Sequence, residues 1–226
     1  MTPVVNAPAA QAVTTTKSIP AFGFSCISNK SEANCATGTN QFKAKVTEHS
    51  PTQVMFKFFN VGVDPSSITR IYFEDTDFKT LGAIAGIINS AGVNFSTTAP
   101  GNSNLPGGKS VDFQTTASVR AENPVRPSGV NNDPNAIGTP PSEFVAIVFD
   151  VLPGFSDPFN AVVTDLRRGT LRVGMHAQGF SDGGSESFVN GAVPEPITTV
   201  GSGIALGFGA LMTRKRNLAK RKAAKA

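Results

Sequence analysis

Short apolar runs separated by turn-forming residues cover positions 19–192, and this spacing constrains the fold more than any other feature of the chain. Runs of this length bounded by Gly and Pro are typical of strands in antiparallel sheets. The run 144–152 is almost entirely apolar, which indicates a central strand buried on both faces. The candidate strands are 42–46, 54–59, 68–73, 81–88, 111–113, 144–152, 161–166 and 171–176.

Turn signals between these runs predict hairpins rather than helices. They are Val-Gly-Val-Asp-Pro at 61–65, Pro-Gly at 100–101, Pro-Gly-Gly at 106–108 and Pro-Gly at 153–154. The run 81–88 could instead form a short helix. The polar stretch 120–142, with five prolines, is expected to be an extended surface loop. The sequence therefore predicts an all-β body over 19–192, a single antiparallel β-sandwich that is jelly-roll-like.

The net charge of +4 comes from one end of the chain. Seven of the 20 Lys and Arg residues lie in positions 214–226, which contain no acidic residue. Without them, positions 1–213 hold 13 basic and 16 acidic residues, a net charge of −3. The body therefore lacks the basic excess that phosphate binding requires, and no nucleic acid partner is predicted.

An uncharged stretch near the C-terminus predicts a membrane helix. The 17 residues 197–213 would form a helix of roughly 25 Å, slightly shorter than a hydrocarbon core of about 30 Å. A basic tail at 214–226 follows directly, and positive charge beside a membrane helix stays on the cytoplasmic side. The body is therefore expected on the far side of the membrane. Pro194 and Pro196 keep the preceding segment extended and separate the helix from the body.

The order of these parts resembles the PEP-CTERM sorting signal of Gram-negative bacteria. The residues that carry the resemblance are the sorting motif Pro194, Glu195 and Pro196 and, after the Gly-rich helix, the basic stop cluster Arg214, Lys215 and Arg216. The segments 171–180 and 183–190 are also similar to the last strand and GGSESF turn that precede the signal in such proteins. The resemblance implies recognition by an exosortase, a membrane-embedded cysteine protease, with cleavage near the motif. It also implies delivery to the cell surface or the exopolysaccharide matrix.

The alternative interpretation of the tail is an ordinary single-pass anchor with a Pro-rich linker. At the N-terminus, Ala10-Gln11-Ala12 fits the end of a signal peptide, but the charged and apolar regions of such a leader are missing. We therefore expect the true start to lie upstream of Met1; the alternative is a disordered Ala/Pro/Thr arm. The predicted organisation is a leader at 1–18, the body at 19–192 and the sorting signal at 193–226.

Cys26 and Cys35 are the only cysteines in the chain. In an oxidising periplasm they are expected to form a disulfide that closes a small loop and contributes about 2 to 3 kcal/mol. Zinc binding needs about four ligands, and His49 and His176 are not at ligand spacing to the cysteines. A single structural disulfide is therefore predicted, without a zinc site.

Clustered carboxylates are the candidate metal ligands. Glu74, Asp75 and Asp77 lie within four residues and could bind Ca²⁺ together with loop carbonyls, as weak extracellular sites do. The other interpretation is a solvated turn. Asp182 and Glu186, near the last predicted turn, are a similar pair. The sequence therefore predicts no cofactor, with Ca²⁺ as the alternative.

No catalytic residues are predicted. His49 and His176 are interpreted as strand-end histidines. Ser185 and Ser187 lie in Gly-Gly-Ser-Glu-Ser, which is not the nucleophile elbow GxSxG. The segment 103–110 lacks the first glycine of a phosphate loop and is interpreted as a hairpin followed by a strand.

The sequence therefore predicts a non-enzymatic, exported structural or adhesive protein. Its expected partners are an exosortase, the inner membrane during sorting, and exopolysaccharide. One alternative is a membrane-anchored carbohydrate- or calcium-binding module, although the absence of Trp and the single Tyr72 weigh against carbohydrate binding. Another is a surface hydrolase, which would need two facing carboxylates such as Asp75 and Glu143.

Overall fold

The computed structural model describes residues 16–75, 80–98, 104–132, 143–191 and 193. The strands are β1 (Phe22–Cys26), β2 (Phe42–Ser50), β3 (Gln53–Asn60), β4 (Ser67–Asp75), β5 (Leu81–Asn89), β6 (Phe95–Thr97), β7 (Ala117–Ala121), β8 (Val130–Asn131), β9 (Phe144–Val151), β10 (Leu171–Gln178) and β11 (Ser185–Asn190). The helices are α1 (Glu32–Gln41), α2 (Pro158–Arg168) and a 3₁₀ helix (Gly108–Val111).

Most of the predicted leader and nearly all of the predicted sorting signal lie outside the described residues. This applies to residues 1–15 and 194–226, and so to the sorting motif, the membrane helix and the basic tail. Among the residues that are described, none of the helices has the length and apolar character needed to cross a membrane.

The described strands pair only antiparallel, as the sequence predicts. They form one connected sheet in the order β5-β9-β3-β2-β1-β11-β10-β4-β7-β6, with β8 paired to β4. The first residues of β1 pair with β2 and its last residues pair with β11. β1 therefore joins a first half, β5-β9-β3-β2, to a second half, β11-β10-β4-β7-β6. The all-β, antiparallel class is confirmed.

Alternating apolar and polar residues place one face of each half against a shared core. In β3, Val54, Phe56 and Phe58 are fully buried, and the residues between them are partly exposed. Phe73 of β4 lies 5.2 Å from Phe56 and 4.7 Å from Phe149 of β9, measured between ring centroids. The two halves of the sheet therefore face each other across one core.

Two predicted strands of the first half are confirmed. The run 81–88 lies in β5, which pairs with β9, so the alternative short helix does not form. β9 covers most of the apolar run 144–152 and lies between β3 and β5, and six of its eight residues are buried. Its nearly continuous apolar sequence reflects this central position.

Residues 161–166, predicted as a strand, belong to helix α2. Asp157 accepts a hydrogen bond from the Asn160 N–H at 3.1 Å, and Pro158 occupies the first helical position. Gly169 ends the helix in the left-handed region, with φ of 74°. The buried side chains recur at helical spacing: Phe159, Val162, Val163 and Leu166. The prediction was wrong because a six-residue window is too short to reveal this period, and the capping residues lie outside it.

The segment 111–113, also predicted as a strand, is the end of the 3₁₀ helix and a turn after it. Asp112 has φ of 49°, a left-handed conformation that a strand does not contain. The Pro-Gly-Gly signal at 106–108 therefore introduces this short helix and not a hairpin, which also corrects the interpretation of 103–110 for its described residues.

Other connections also differ from the prediction. The segment 61–65 joins β3 to β4, which lie in opposite halves of the sheet, so it is a crossover and not a hairpin. The Pro-Gly at 153–154 leads from β9 into α2. The predicted loop 120–142 contains the end of β7 and all of β8. A turn signal marks where the chain reverses, but it does not specify the partner of the next strand.

Candidate functional site

A disulfide joins Cys26 and Cys35, as predicted. Cys26 ends β1 and Cys35 lies in the first turn of α1, so the bond closes the loop between the strand and the helix. Helix α1 begins after Ser31, whose Oγ accepts a hydrogen bond from the Asn34 N–H at 3.3 Å. The helix was missed from the sequence because its buried residues are small or polar: Asn34, Cys35, Gly38 and Gln41.

The carboxylate of Glu186, on β11, is the centre of the polar groups around this loop. Glu186 is only 1% exposed. Its Oε1 accepts a hydrogen bond from the Ser31 N–H at 2.8 Å, and its Oε2 accepts one from the Lys30 N–H at 3.2 Å and one from the Ser28 hydroxyl. Asp182 accepts a hydrogen bond from the Ser31 hydroxyl at 3.0 Å. These contacts use both acids to hold the start of α1 against β11.

His176 and Ser187 lie next to each other on β10 and β11. The His176 Nδ1 is 3.1 Å from the Ser187 Oγ, and the Ser187 N–H donates to the Ser28 Oγ at 2.8 Å. Burial, followed by the charges of Arg70 and Lys30, lowers the pKa of His176 to about 4. The imidazole is therefore neutral at neutral pH.

A serine beside a neutral histidine has the composition of a nucleophile and its base. Here, however, Ser187 is 1% exposed and His176 is 9% exposed. Met175, Ala177 and Phe188 belong to the shared core, so His176 and Ser187 lie on the opposite face of the second half, where both are buried. This burial leaves the Ser187 hydroxyl no open approach for a substrate carbonyl, and the absence of a catalytic role stays a prediction.

The two sulfurs and Glu186 are close enough to be considered as metal ligands. One ligand atom from each of Cys26, Cys35 and Glu186 lies within 4.8 Å of the others. Metal binding requires the thiolate form of cysteine, and the disulfide occupies both sulfurs. In this arrangement the carboxylate serves the loop and not an ion.

Glu74 and Asp75, the described members of the predicted calcium cluster, do not converge. Consecutive residues of a strand point to opposite faces. Glu74 forms an ion pair with Arg172 and accepts a hydrogen bond from the Gln114 N–H at 3.0 Å. Asp75 accepts hydrogen bonds from the N–H groups that begin β5, at 2.7 and 3.0 Å. Both carboxylates are at least 95% buried and are used within the fold, and Asp77 lies outside the described residues.

Asp75 and Glu143, the carboxylate pair considered for a hydrolase, lie at opposite ends of β9. Asp75 binds the Leu81 N–H, and Leu81 pairs with Val151 at the last residue of the strand. Glu143 precedes the first residue and accepts hydrogen bonds from Asn131, at 2.7 Å from its N–H and 3.0 Å from its amide. Eight residues of strand separate the two ends by about 27 Å. The structure therefore does not bring this pair together.

The described surface includes one shallow groove of about 330 Å³ along α2. Its lining residues are Phe155, Ser156, Asp157, Asn160, Ala161, Thr164, Asp165 and Arg168. Two of its carboxylates are already engaged: Asp157 pairs with Lys17 at 2.8 Å, and Asp165 binds the Thr80 hydroxyl. Tyr72, the one tyrosine, is fully buried and offers no surface platform for a sugar.

Fold and site together define a class: a disulfide-bonded, antiparallel β protein whose described polar clusters are used to hold the fold together. Comparison with known protein families, with curated proteins and with solved structures finds no match to this chain.

Proposed function

We propose that this chain is an exported, non-enzymatic protein with a structural or adhesive role at a bacterial cell surface or in an exopolysaccharide matrix. An exosortase recognises Pro194, Glu195 and Pro196, and the membrane helix 197–213 with the stop cluster Arg214, Lys215 and Arg216 holds the chain in the inner membrane until cleavage. The body that is released is a jelly-roll-like β-sandwich.

The observation that carries this proposal is the disulfide between Cys26 and Cys35. Disulfides form and persist in oxidising compartments and are rare in the reducing cytosol. A body that closes such a bond is therefore suited to the far side of the membrane, where the order of motif, helix and basic tail would leave it.

The end of the body also supports cleavage at the motif. The last strand, β11, ends at Asn190, the Gly191 N–H donates to the Gly23 carbonyl at 3.1 Å, and Val193 is still buried. The motif begins at the next residue. A protease that cuts within or just after the motif would therefore release every described residue with the body.

A non-enzymatic role is supported by the way four titratable residues of the described chain are used. Glu186, Glu74, Asp75 and His176 are all buried and hydrogen-bonded or ion-paired within the fold. None of these groups is presented to a substrate. Calcium binding by Glu74, Asp75 and Asp77 is not included, because the first two point to opposite faces of β4.

Mass spectrometry of the mature protein from its native host tests the proposal. We expect a C-terminus between Val193 and Ile197, and a Pro194→Ala/Pro196→Ala double variant is expected to keep Ala226. A Pro153→Ala variant, which changes a proline of the body, serves as the control and should be processed normally. An intact Ala226 in the wild type would mean a permanent anchor, and full-length chain dissolved in the cytosol would overturn export altogether.

A further inference from the structure

The outward side of the first half of the sheet carries an unusual group of cations and rings. We call it the lysine face, and it consists of Lys43, Lys45, Lys57, Phe59 and Phe144. The alternate residues of β2, β3 and β9 are buried in the core, so these five side chains point outward. All five are partly exposed.

Register places two of the lysines directly against each other. Lys45 lies opposite Lys57 in the β2–β3 ladder, and Lys43 lies opposite Phe59. Residues opposite each other on antiparallel strands have Cβ atoms about 4.5–5.5 Å apart, and like charges in this position destabilise the sheet. The fold therefore maintains a repulsion that a bound anion would remove.

Among the described residues, none of the three lysines of this face forms an ion pair within 4.0 Å. Asp150, the acid on the outward side of β9, instead accepts a hydrogen bond from the Gln53 amide at 2.9 Å. Lys43 makes one long hydrogen bond, 3.4 Å from its Nζ to the Thr39 carbonyl. Burial lowers the pKa of Lys43, and burial followed by the charge of Lys45 lowers the pKa of Lys57.

Aromatic rings hold one of these cations in a fixed position. The Lys57 Nζ lies 3.6 Å from the centroid of the Phe144 ring and 5.3 Å from that of Phe59. These distances are within the range of cation–π attraction. Because the ammonium is already positioned, less side-chain freedom is lost when it binds an anion.

We propose that the lysine face binds a linear polysaccharide that carries carboxylate groups. Carboxylates between the ammonium groups of Lys45 and Lys57 would relieve their repulsion and form charge-assisted hydrogen bonds. The inference rests on the proposed function, because it identifies the ligand that the released body would meet outside the cell. The sorting signal determines only where the body is delivered, and the lysine face would determine what the body binds there.

Single-stranded nucleic acid is the competing polyanion, and the geometry disfavours it. Such binding combines positive charge with aromatic faces on which bases stack. Here the Lys57 ammonium covers one face of the Phe144 ring. The ring therefore fixes the cation in place, and the ring face that the ammonium covers is not free for a base.

Lysine footprinting of the full-length protein tests the site directly. The purified chain is acetylated with an amine-reactive reagent in calcium-free, low-salt buffer, with and without alginate, and each lysine is quantified by mass spectrometry. We expect alginate to protect Lys43, Lys45 and Lys57, while Lys30 and Lys109, which are exposed elsewhere, stay reactive. Neutral dextran should protect none of them. Because the readout is specific to each lysine, binding by the basic tail does not interfere.

Affinity measurements with variants give the second arm. A Lys45→Gln/Lys57→Gln variant should bind alginate about tenfold more weakly, the combined effect of losing two partly exposed charge contacts. A Lys30→Gln/Lys109→Gln variant, with the same change in net charge, should bind like the wild type. The first variant removes the repulsion between the two lysines but also the contact of Lys57 with the Phe144 ring, so it should melt close to the wild type, and a cooperative transition there confirms that it is folded.

Three results would overturn the proposal: no protection of the lysine face by alginate, equal loss of affinity in both double variants, or stronger protection by a single-stranded oligonucleotide than by alginate. The last result would assign the face to nucleic acid. None of them bears on the C-terminus of the mature protein, so this test and the test of sorting can fail separately.

Discussion

Three acidic residues that the sequence suggested as metal ligands are buried and form hydrogen bonds within the fold. Glu186, Glu74 and Asp75 were considered as calcium ligands because each lies near another acid in the sequence, close to a predicted turn. In the structure each of them accepts hydrogen bonds from backbone N–H groups of a neighbouring segment. A buried carboxylate needs such partners, and they come from residues up to 156 positions away in the sequence.

The burial of His176 makes the free energy of unfolding depend on pH. Its pKa is about 4 in the folded protein and 6.5 in an exposed histidine. Between these values the unfolded chain binds a proton that the folded protein does not, so the free energy of unfolding falls as the pH drops from 6.5 towards 4. From pH 7 to pH 5 this residue alone is expected to lower it by about 2 kcal/mol.

Denaturant titrations at the two pH values check this prediction. The difference between pH 7 and pH 5 should be smaller in His176→Gln than in the wild type, even if the variant is less stable at both. His49→Gln changes the other, exposed histidine and should keep the wild-type difference. If His176→Gln also keeps it, the imidazole is not held neutral by the fold.

Strands and helices were predicted correctly where the spacing of apolar residues within the element itself shows its type. β3 and β9 alternate or run apolar over nearly their whole length, β2 alternates over its first half, and all three were found. α1 was missed because its buried side is small and polar, and α2 was misread from six of its eleven residues. The capping residues Ser31 and Asp157 set where the two helices begin, and both lie outside the apolar runs from which strands were predicted.

Helix α1 packs on the sheet through Gly38, so a side chain at this position is expected to destabilise the fold. A Cβ at this position would lie 2.2 Å from the Phe188 Cζ and 2.7 Å from the nearest ring atom of Phe42. These two rings pack edge to face with centroids 5.0 Å apart, so neither can move away freely. Gly38→Ala is therefore expected to lower the free energy of unfolding by about 1–3 kcal/mol, despite the better helix propensity of Ala.

Urea denaturation of Gly38→Ala beside Gly86→Ala measures this effect. A Cβ at Gly86, in β5, would have no heavy atom within 4 Å, so this control should unfold within about 0.5 kcal/mol of the wild type. An equal midpoint for the two variants would show that α1 does not press on the rings of Phe42 and Phe188.

At the level of the whole molecule, β1 and the disulfide connect the parts. β1 is the strand through which the first half of the sheet continues into the second. The bond from Cys26 to Cys35 attaches its end to α1, which packs on β1 and β11. Removing the disulfide should therefore weaken the contact between the two halves of the sheet as well as the loop between β1 and α1.

A Cys26→Ser/Cys35→Ser variant is therefore expected to lose about 2–3 kcal/mol of unfolding free energy, mainly because the unfolded chain is no longer restricted. Denaturant titration measures the loss, and the wild type in reductant should shift by a similar amount. The double variant in reductant is the control and should not shift further. If the intact mass of the wild type does not rise by two hydrogens on reduction, the disulfide is absent.

The sequence by itself determined the antiparallel all-β class, most of the long strands, the disulfide and the order of parts in the C-terminal tail, whose sorting role stays a prediction. Each of these depends on residues that are near one another in the chain. Only the tertiary structure decided which strands pair, where the crossover at 61–65 leads, how the acids are used, and that Lys45 faces Lys57. Pairing and burial bring together residues far apart in sequence, and local alternation carries no information about which distant strand supplies the partner.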